Sequence, residues 1–249
     1  MNRLLCAAAA LAVVAGGAQA ATIKAKYTGV GDAVGNAFGL KLVHTQGTSN
    51  YNVRAGSLIH QVQASSETFA GQSLRTFCID LAQTVNGSVN TYTIKKVDAA
   101  PDPDAPTGNV GELRAGFLQS LYANAIDAGL LDRRGSWIGD DEKQASAFQL
   151  VVWELAFEDA GILDTARGGV MPINSLLTQD NFKVTSNLNT VASSDIEQFF
   201  QWAFEGRTLA GLRAMTSMTA QDQLIVVPLP TGGALALAGL AGVAIRRRR

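Results

Sequence analysis

Cysteine is scarce in this sequence. The chain of 249 residues has two, Cys6 and Cys78, and Cys6 falls in an N-terminal segment of the kind that is removed during secretion. The remaining body therefore has a single thiol, which excludes an internal disulfide. A lone thiol is unusual in a protein exposed to an oxidising compartment, so Cys78 needs an explanation of its own.

Histidines and common catalytic motifs are also missing. With two histidines, His44 and His60, and one retained cysteine, the chain has few of the usual zinc ligands, and we predict no metal and no cofactor. No Gly-x-Ser-x-Gly elbow and no glycine-rich phosphate loop occurs. Asp102 and Asp104 lack the spaced oxygen donors of a calcium loop. We therefore predict that the protein is not an enzyme.

An excess of positive charge is missing from the body of the chain. Of the 20 Lys and Arg residues, Arg3 and the four arginines at the C-terminus lie at the ends, which leaves 15 against 21 Asp and Glu and a net charge of −6. An acidic body repels polyanions, so we predict no nucleic-acid partner.

The C-terminal tail, residues 224–249, is apolar and ends in positive charge. Residues 224–245 are long enough to cross much of a bilayer, for which roughly 20 residues are needed. Prolines and glycines confine the uninterrupted apolar run to about 234–245, a length that also fits a buried core helix. The arginines that follow are Arg246, Arg247, Arg248 and Arg249. They favour a membrane-held tail over a core helix or a basic nucleic-acid tail, because positive charge on the cytoplasmic side opposes translocation.

The N-terminus, residues 1–20, has the make-up of a cleavable signal peptide. Arg3 precedes an apolar stretch from Leu4 to Val14, and Ala18-Gln19-Ala20 supplies small residues at the cleavage site. The signal peptide starts export, and the positively charged C-terminus stops translocation. Together they predict that the body, residues 21–223, lies outside the cytoplasm. We predict a secreted or cell-surface protein that its C-terminal helix anchors transiently in the inner membrane.

The tail resembles a known sorting signal. A Val-Pro-x-Pro motif precedes a short apolar span and the terminal arginines, its residues being Val227, Pro228, Leu229 and Pro230. This order is similar to the PEP-CTERM tail of Gram-negative bacteria, and Leu229 makes it similar to the VPLPA subclass. The resemblance implies an exosortase-type membrane protease as partner. It covers the tail alone and implies nothing about the body.

Hydrophobic periodicity predicts an α+β body. Short runs rich in β-branched and aromatic residues, separated by Gly, Asn and Ser, extend from residue 22 to about 97 and are typical of antiparallel strands. Helical periodicity follows at 112–129, at 139–161 and from Ser194 to Gly206, and the chain returns to a strand at 222–227. We expect an antiparallel β-sandwich or barrel with a helical insertion between Cys78 and Gln149, flanked by the signal peptide and a C-terminal membrane helix.

Local signals suggest where these elements begin and end. Three prolines predict a loop over residues 98–111. Acidic residues at 140–142 suit the start of the second helix, and Gly161 is able to end it. Ser194 and Glu197 have the spacing of a capping box for the third helix.

Two residues of the body are out of place. Gln149 interrupts the stretch 147–153, whose other residues are apolar on every side of the predicted helix, so we expect this turn to be buried. A buried carboxamide needs hydrogen-bond partners. In the strand around Cys78, alternation puts Phe77, Ile79 and Leu81 on one face. Cys78 is then expected on the other face with Thr76 and Asp80, away from the apolar side.

These two residues carry a second resemblance. An aromatic-Cys motif on a strand (Phe77-Cys78) and a Gln-x-x-x-Trp motif on a helix (Gln149 to Trp153) are similar to the thioester domains of bacterial surface proteins. The resemblance implies an internal thioester, with Cys78 as nucleophile and leaving group, Gln149 as acyl donor, and Trp153 and Phe77 as a shield from water. The residue types suit that chemistry. A free thiol without a role and a hydrogen-bonded core amide are the alternatives.

Three function classes remain. The first is a surface binding or adhesion module that attaches covalently to an extracellular polysaccharide or surface protein through the thioester. The second is a structural component of an exopolysaccharide or biofilm matrix without a reactive bond. The third and weakest is an enzyme acting on matrix polymers, for which the sequence offers no particular carboxylate pair.

Overall fold

A computed structural model describes residues 21–44, 47–66, 69–102, 105–179 and 181–228. One part of the molecule is a closed barrel of six antiparallel strands. The order around the barrel is β1-β4-β5-β11-β10-β6. These strands are β1 (Thr22–Ala33), β4 (Gly56–Val62), β5 (Ser73–Cys78), β6 (Val89–Lys96), β10 (Leu212–Thr216) and β11 (Gln223–Val226).

Two smaller sheets, four α-helices and three short 3-10 helices make up the rest of the regular structure in the described residues. A three-stranded sheet has the order β3-β2-β9, and a two-stranded ribbon pairs β7 with β8. Their strands are β2 (Phe38–His44), β3 (Gly47–Val53), β7 (Pro101–Asp102), β8 (Ala105–Asn109) and β9 (Phe182–Ser186). The helices are α1 (Glu112–Asp127), α2 (Glu142–Phe157), α3 (Ala160–Arg167) and α4 (Ser193–Phe204).

Helix α2 is the centre of the larger hydrophobic core. Every residue from Ala145 to Phe157 is buried, because the barrel, the three-stranded sheet and α1 and α4 surround the helix. Its Phe148 ring contacts Phe77, Tyr122 and Phe199 from three other elements. A second, smaller core cluster includes Ile23, Tyr92 and Ile225 of the barrel strands.

The expected α+β class is confirmed, and of the two expected sheet arrangements, sandwich or barrel, the structure has the barrel. Helix α1 lies between Cys78 and Gln149 in the chain, together with β6, β7 and β8. Within the described residues, no helix combines the length and the hydrophobicity needed to span a bilayer. The signal peptide and most of the tail lie outside the described residues.

Several boundaries differ from the sequence predictions. The loop expected over 98–111 contains the β7–β8 ribbon, with Pro101 in β7 and Pro106 in β8. Strands of a two-stranded ribbon each have a free edge, where proline is tolerated. Gly161 lies inside α3; α2 ends earlier, at Phe157, and Asp159 caps the next helix by accepting from the Gly161 and Ile162 backbone N–H groups. The capping box does not form, because α4 begins at Ser193 with Ala192 as its N-cap and no side-chain cap bond.

The end of the body also differs. The boundary expected between residues 223 and 224 falls inside β11, which pairs with β10 from Leu212 to Met215 and with β5 at Phe77 and Cys78. The first residues of the predicted tail therefore belong to the barrel. The elements β3, β9, β10 and α3 had no separate prediction, and each is a short segment of five to eight residues.

Candidate functional site

Strand β5 and helix α2 bring Cys78 and Gln149 into direct contact. The Cys78 backbone N–H donates to Gln149 Oε1 at 3.0 Å, and Gln149 Nε2 donates to the Cys78 backbone oxygen at 2.9 Å. Gln149 is fully buried, and Cys78 is 3% exposed. The two residues that the sequence singled out are thus neighbours across 71 positions of the chain.

The Gln149 carboxamide continues a strand ladder. In β5, Thr76 lies opposite Leu58 of β4, and this is the last β4–β5 pair toward the end of β5. Two residues further along, the Gln149 amide makes the two hydrogen bonds that a peptide unit of β4 would otherwise make with Cys78. A side chain with one donor and one acceptor in a plane is the chemical equivalent of a peptide group.

Trp153 contacts the sulfur atom. Because it lies four residues after Gln149 on α2, it shares the same helix face, and its Nε1–H donates to Cys78 Sγ at 3.1 Å. The Trp153 side chain is buried and packs in the larger core cluster. It therefore covers the sulfur and orients it at the same time.

Phe77 faces a different part of the core. Its ring centroid lies 4.7 Å from Phe148 and 5.6 Å from Trp137, and Phe77 is not among the residues that line the cleft described below. Cys78 is also part of this apolar cluster, so the expectation that it avoids the apolar side is wrong. Alternation does not extend past Cys78, because β5 ends there and the core covers both sides of the strand end.

Burial dominates the electrostatics of the thiol. Loss of hydration and, to a smaller extent, the neighbouring Asp80 charge raise the pKa of Cys78 to about 12, although the Trp153 hydrogen bond acts to lower it. Asp80 is itself buried, and its carboxylate accepts from the Ala82 N–H at 2.7 Å. At neutral pH the folded, unreacted site thus holds a protonated thiol.

A cleft connects this pair with solvent. It has a volume of about 510 Å³ and reaches Cys78, Gln149 and Trp153 at its inner end. Its walls come from β1, β3, β4, the segment after β5, and Gln221. Residues that line it include Tyr27, Asn50, Tyr51, Asn52, Arg54, Gly56, Leu81, Gln83, Thr84 and Gln221.

One of these hydrogen bonds suits acyl transfer at the carboxamide. The Cys78 N–H already donates to the carbonyl oxygen on which negative charge would develop, as an oxyanion-hole donor does. The site is dry on the core side and open on the cleft side, so a nucleophile has a way in.

Other residues named by the sequence lie apart from this pair. Val227 is half-buried, and its backbone N–H donates to the Gly211 oxygen at 2.9 Å, while Pro228 is exposed. Leu229, Pro230 and the four terminal arginines lie outside the described residues. Within the described ranges, no group of His, Cys, Asp and Glu is arranged to hold a metal ion.

Sequence reasoning missed a buried pair of carboxyl groups beside the site. Asp222 precedes Gln223, the partner of Cys78 in β11, and it is 3% exposed. Burial raises the pKa of Asp222 to about 7, and the nearby Asp80 charge acts in the same direction. Nothing in the local sequence distinguishes these aspartates from surface ones, because they meet only through the barrel.

Comparisons with known proteins do not extend this picture. No protein-family model matches the chain, and no curated protein or solved structure matches it. The site is therefore interpreted from its own geometry.

Proposed function

We propose that the body is a surface-displayed binding or adhesion module that forms an internal thioester between Cys78 and Gln149 and uses it for covalent attachment. The observation that carries the proposal is the paired hydrogen bonding of the Gln149 carboxamide to Cys78, with Trp153 on the sulfur. These contacts hold a thiol residue and a buried amide side by side at the end of an open cleft, which supports a bond between the two side chains.

The bond would form by attack of Cys78 Sγ on the side-chain carbonyl carbon of Gln149. A C–S bond forms, the C–N bond breaks, and the thiol proton leaves with the amide nitrogen as ammonia. The Cys78 backbone N–H is able to donate to the Gln149 carbonyl oxygen in the amide and in the thioester, and so to the oxyanion between them. The hydrogen bond from Nε2 to the Cys78 oxygen is lost when ammonia leaves.

In covalent attachment to a target, Cys78 would be the leaving group instead of the nucleophile. A nucleophile entering through the cleft attacks the same carbonyl carbon, the C–S bond breaks, and the thiol recovers a proton. Because burial raises the pKa of the Cys78 thiol to about 12, the sulfur takes up its proton as the C–S bond breaks and does not remain as a thiolate. Because Cys78 and Gln149 are buried at the end of the cleft, water reaches the bond from the cleft side alone, and a ligand that fills the cleft would exclude it.

The intact mass of the exported protein tests this proposal. We expect the wild-type mass to fall short of the calculated mass by one ammonia, and the Cys78→Ala variant to show its full calculated mass. Cys78→Ala is a matched control, since it keeps the backbone groups that bind Gln149. A full-mass wild type, isolated without added amine or reductant, would contradict the thioester.

A structural matrix component is the second candidate. One observation favours it: both polar groups of the Gln149 side chain are already satisfied by the Cys78 backbone, which is sufficient reason for a buried glutamine in a barrel core. A wild-type protein with full mass that still assembles into the extracellular matrix supports this function over the first.

The tail supports an exported location within the same proposal. We propose that the signal peptide directs secretion and that the apolar segment with its arginines holds the chain in the inner membrane until an exosortase-type protease acts near the proline motif. Replacing Arg246, Arg247, Arg248 and Arg249 with Ser should let unprocessed protein escape the membrane fraction. Unchanged fractionation of that variant would contradict this topology.

A further inference from the structure

The cleft that leads to Cys78 and Gln149 has its own recognition chemistry. Its volume of about 510 Å³ lies within the range of roughly 300–1,000 Å³ typical of small-molecule sites. Two tyrosines, Tyr27 and Tyr51, line it and are half-buried. Aromatic faces of this kind accept the apolar C–H face of a sugar ring.

The polar lining consists mainly of neutral amides and a hydroxyl. Asn50 and Asn52 lie on the exposed strand β3, and Gln83, Thr84 and Gln221 line the opposite wall. In the part of the chain that the structure describes, the Asn50 and Asn52 side chains form no hydrogen bond. Each offers a donor and an acceptor to a ligand, as polyhydroxylated molecules require.

Charge in the cleft argues against a cationic ligand. Among the described residues that line the cleft, Arg54 is the one with a formal charge, and none is an aspartate or a glutamate. A lysine ammonium would leave water for a site that contains a like charge and no counter-ion, which is unfavourable. A hydroxyl group enters without that cost, and a sugar carboxylate is compatible with Arg54.

We infer that the cleft binds a saccharide and presents one of its hydroxyl groups to the Gln149 carbonyl. This inference rests on the proposed thioester for its covalent step. There, the hydroxyl oxygen attacks the carbonyl carbon, the C–S bond to Cys78 breaks, an ester forms, and the hydroxyl proton passes to the thiol. Noncovalent recognition by Tyr51, Asn50 and Asn52 precedes that step and does not depend on it.

The experiment separates recognition from reaction. The full chain with Cys78→Ala, in detergent, is applied to immobilised oligosaccharides of neutral hexoses, N-acetylated amino sugars and uronates. We expect retention on at least one class, and about tenfold or more weaker binding when Asn50→Ala and Asn52→Ala are added, since two hydrogen bonds are lost. Thr48→Ala, on the same strand outside the cleft, should leave the affinity unchanged.

Two results would overturn the inference. One is the absence of binding to every saccharide class by the Cys78→Ala chain; the other is binding that the two asparagine changes do not weaken. In parallel, the wild-type chain is incubated with a lysine-containing peptide. If the peptide couples at Gln149 while no saccharide binds, the thioester exists and the saccharide assignment is wrong. If saccharide binds and the wild type has its full mass, recognition stands and the thioester is wrong.

Discussion

At the scale of single residues, the Cys78–Gln149 contact is both a structural bond and the candidate reactive site. The sequence correctly indicated that Gln149 is buried and needs partners, and the resemblance paired it with Cys78. The sequence did not indicate that Gln149 bonds to the backbone N–H and oxygen of Cys78, because these atoms belong to a strand end 71 residues away. Nor did alternation predict the buried position of Cys78, where the regular strand stops.

The structural share of this contact can be measured without the thioester. In a Cys78→Ala background, adding Gln149→Ala should lower the free energy of unfolding by about 2 to 5 kcal/mol, since a buried N–H and a buried carbonyl lose their partners and a cavity remains. Chemical denaturation gives the difference. Lys143→Ala, exposed on the same helix, is the control and should cost under about 0.5 kcal/mol. An equal, small effect of both changes would refute the ladder role of Gln149.

Asp222 and His60 should give the fold opposite dependences on pH. The pKa of Asp222 is raised to about 7 from 3.8, so the folded state holds the proton more tightly, and this contribution to stability is lost as pH rises from about 4 to 7. Burial lowers the pKa of His60 to about 4 from 6.5, so its contribution is lost as pH falls through the same window.

Single variants separate the two contributions. Asp222→Asn removes the first, and the variant's stability should then rise with pH between 4 and 6.5 more steeply than that of the wild type, by up to about 1.4 kcal/mol per pH unit. His60→Gln should show the opposite change. Denaturation at several pH values measures both slopes. Parallel wild-type and Asp222→Asn curves would show that this carboxyl does not titrate in the window.

At the scale of elements, helix α2 holds Gln149 and Trp153, and its first residue is fixed by a side-chain cap. Acidic residues at 140–142 were expected at the helix start, and Asp141 is the N-cap, accepting from the Lys143 and Gln144 backbone N–H groups at 2.8 and 3.2 Å. The expected capping box of α4 does not form, since a pattern of residue types does not determine which backbone groups a helix leaves unpaired. Local rules therefore worked for one helix and failed for the other.

The cap makes a prediction for α2. Asp141→Ala should destabilise the fold by about 1 kcal/mol, because two N–H groups lose their acceptor. Asp140→Ala, one residue earlier and without a cap bond, should cost much less. Thermal unfolding of both variants checks this. If Asp140→Ala proves the more damaging change, the N-cap assignment is wrong.

At the scale of the whole molecule, the barrel closes with the last described strand. The α+β class and the antiparallel pairing followed from the strand and helix patterns, which left a sandwich and a barrel as alternatives. Register, strand order and the end of the body did not, because they depend on pairings between distant strands such as β5 with β11. The apolar character of residues 224–226 was assigned to the membrane tail, although the barrel also requires apolar residues there.

Closure by β11 predicts a sharp limit for truncation. A secreted chain of residues 21–228 should unfold cooperatively, whereas a chain of residues 21–223 lacks most of the strand that joins β5 to β10 and exposes two sheet edges. We expect the shorter chain to aggregate or to lose its cooperative transition in circular dichroism. Equal stability of the two chains would mean that β11 is dispensable.

Amine trapping tests the central claim, an acyl bond between Cys78 and Gln149, most directly. Isotope-labelled methylamine is added to the purified native protein, which is then digested and mapped by mass spectrometry, with thiols counted before and after. The account predicts one label, located on Gln149, together with the appearance of one free thiol at Cys78. A thiol that is already free before treatment, with no label at Gln149, would contradict it.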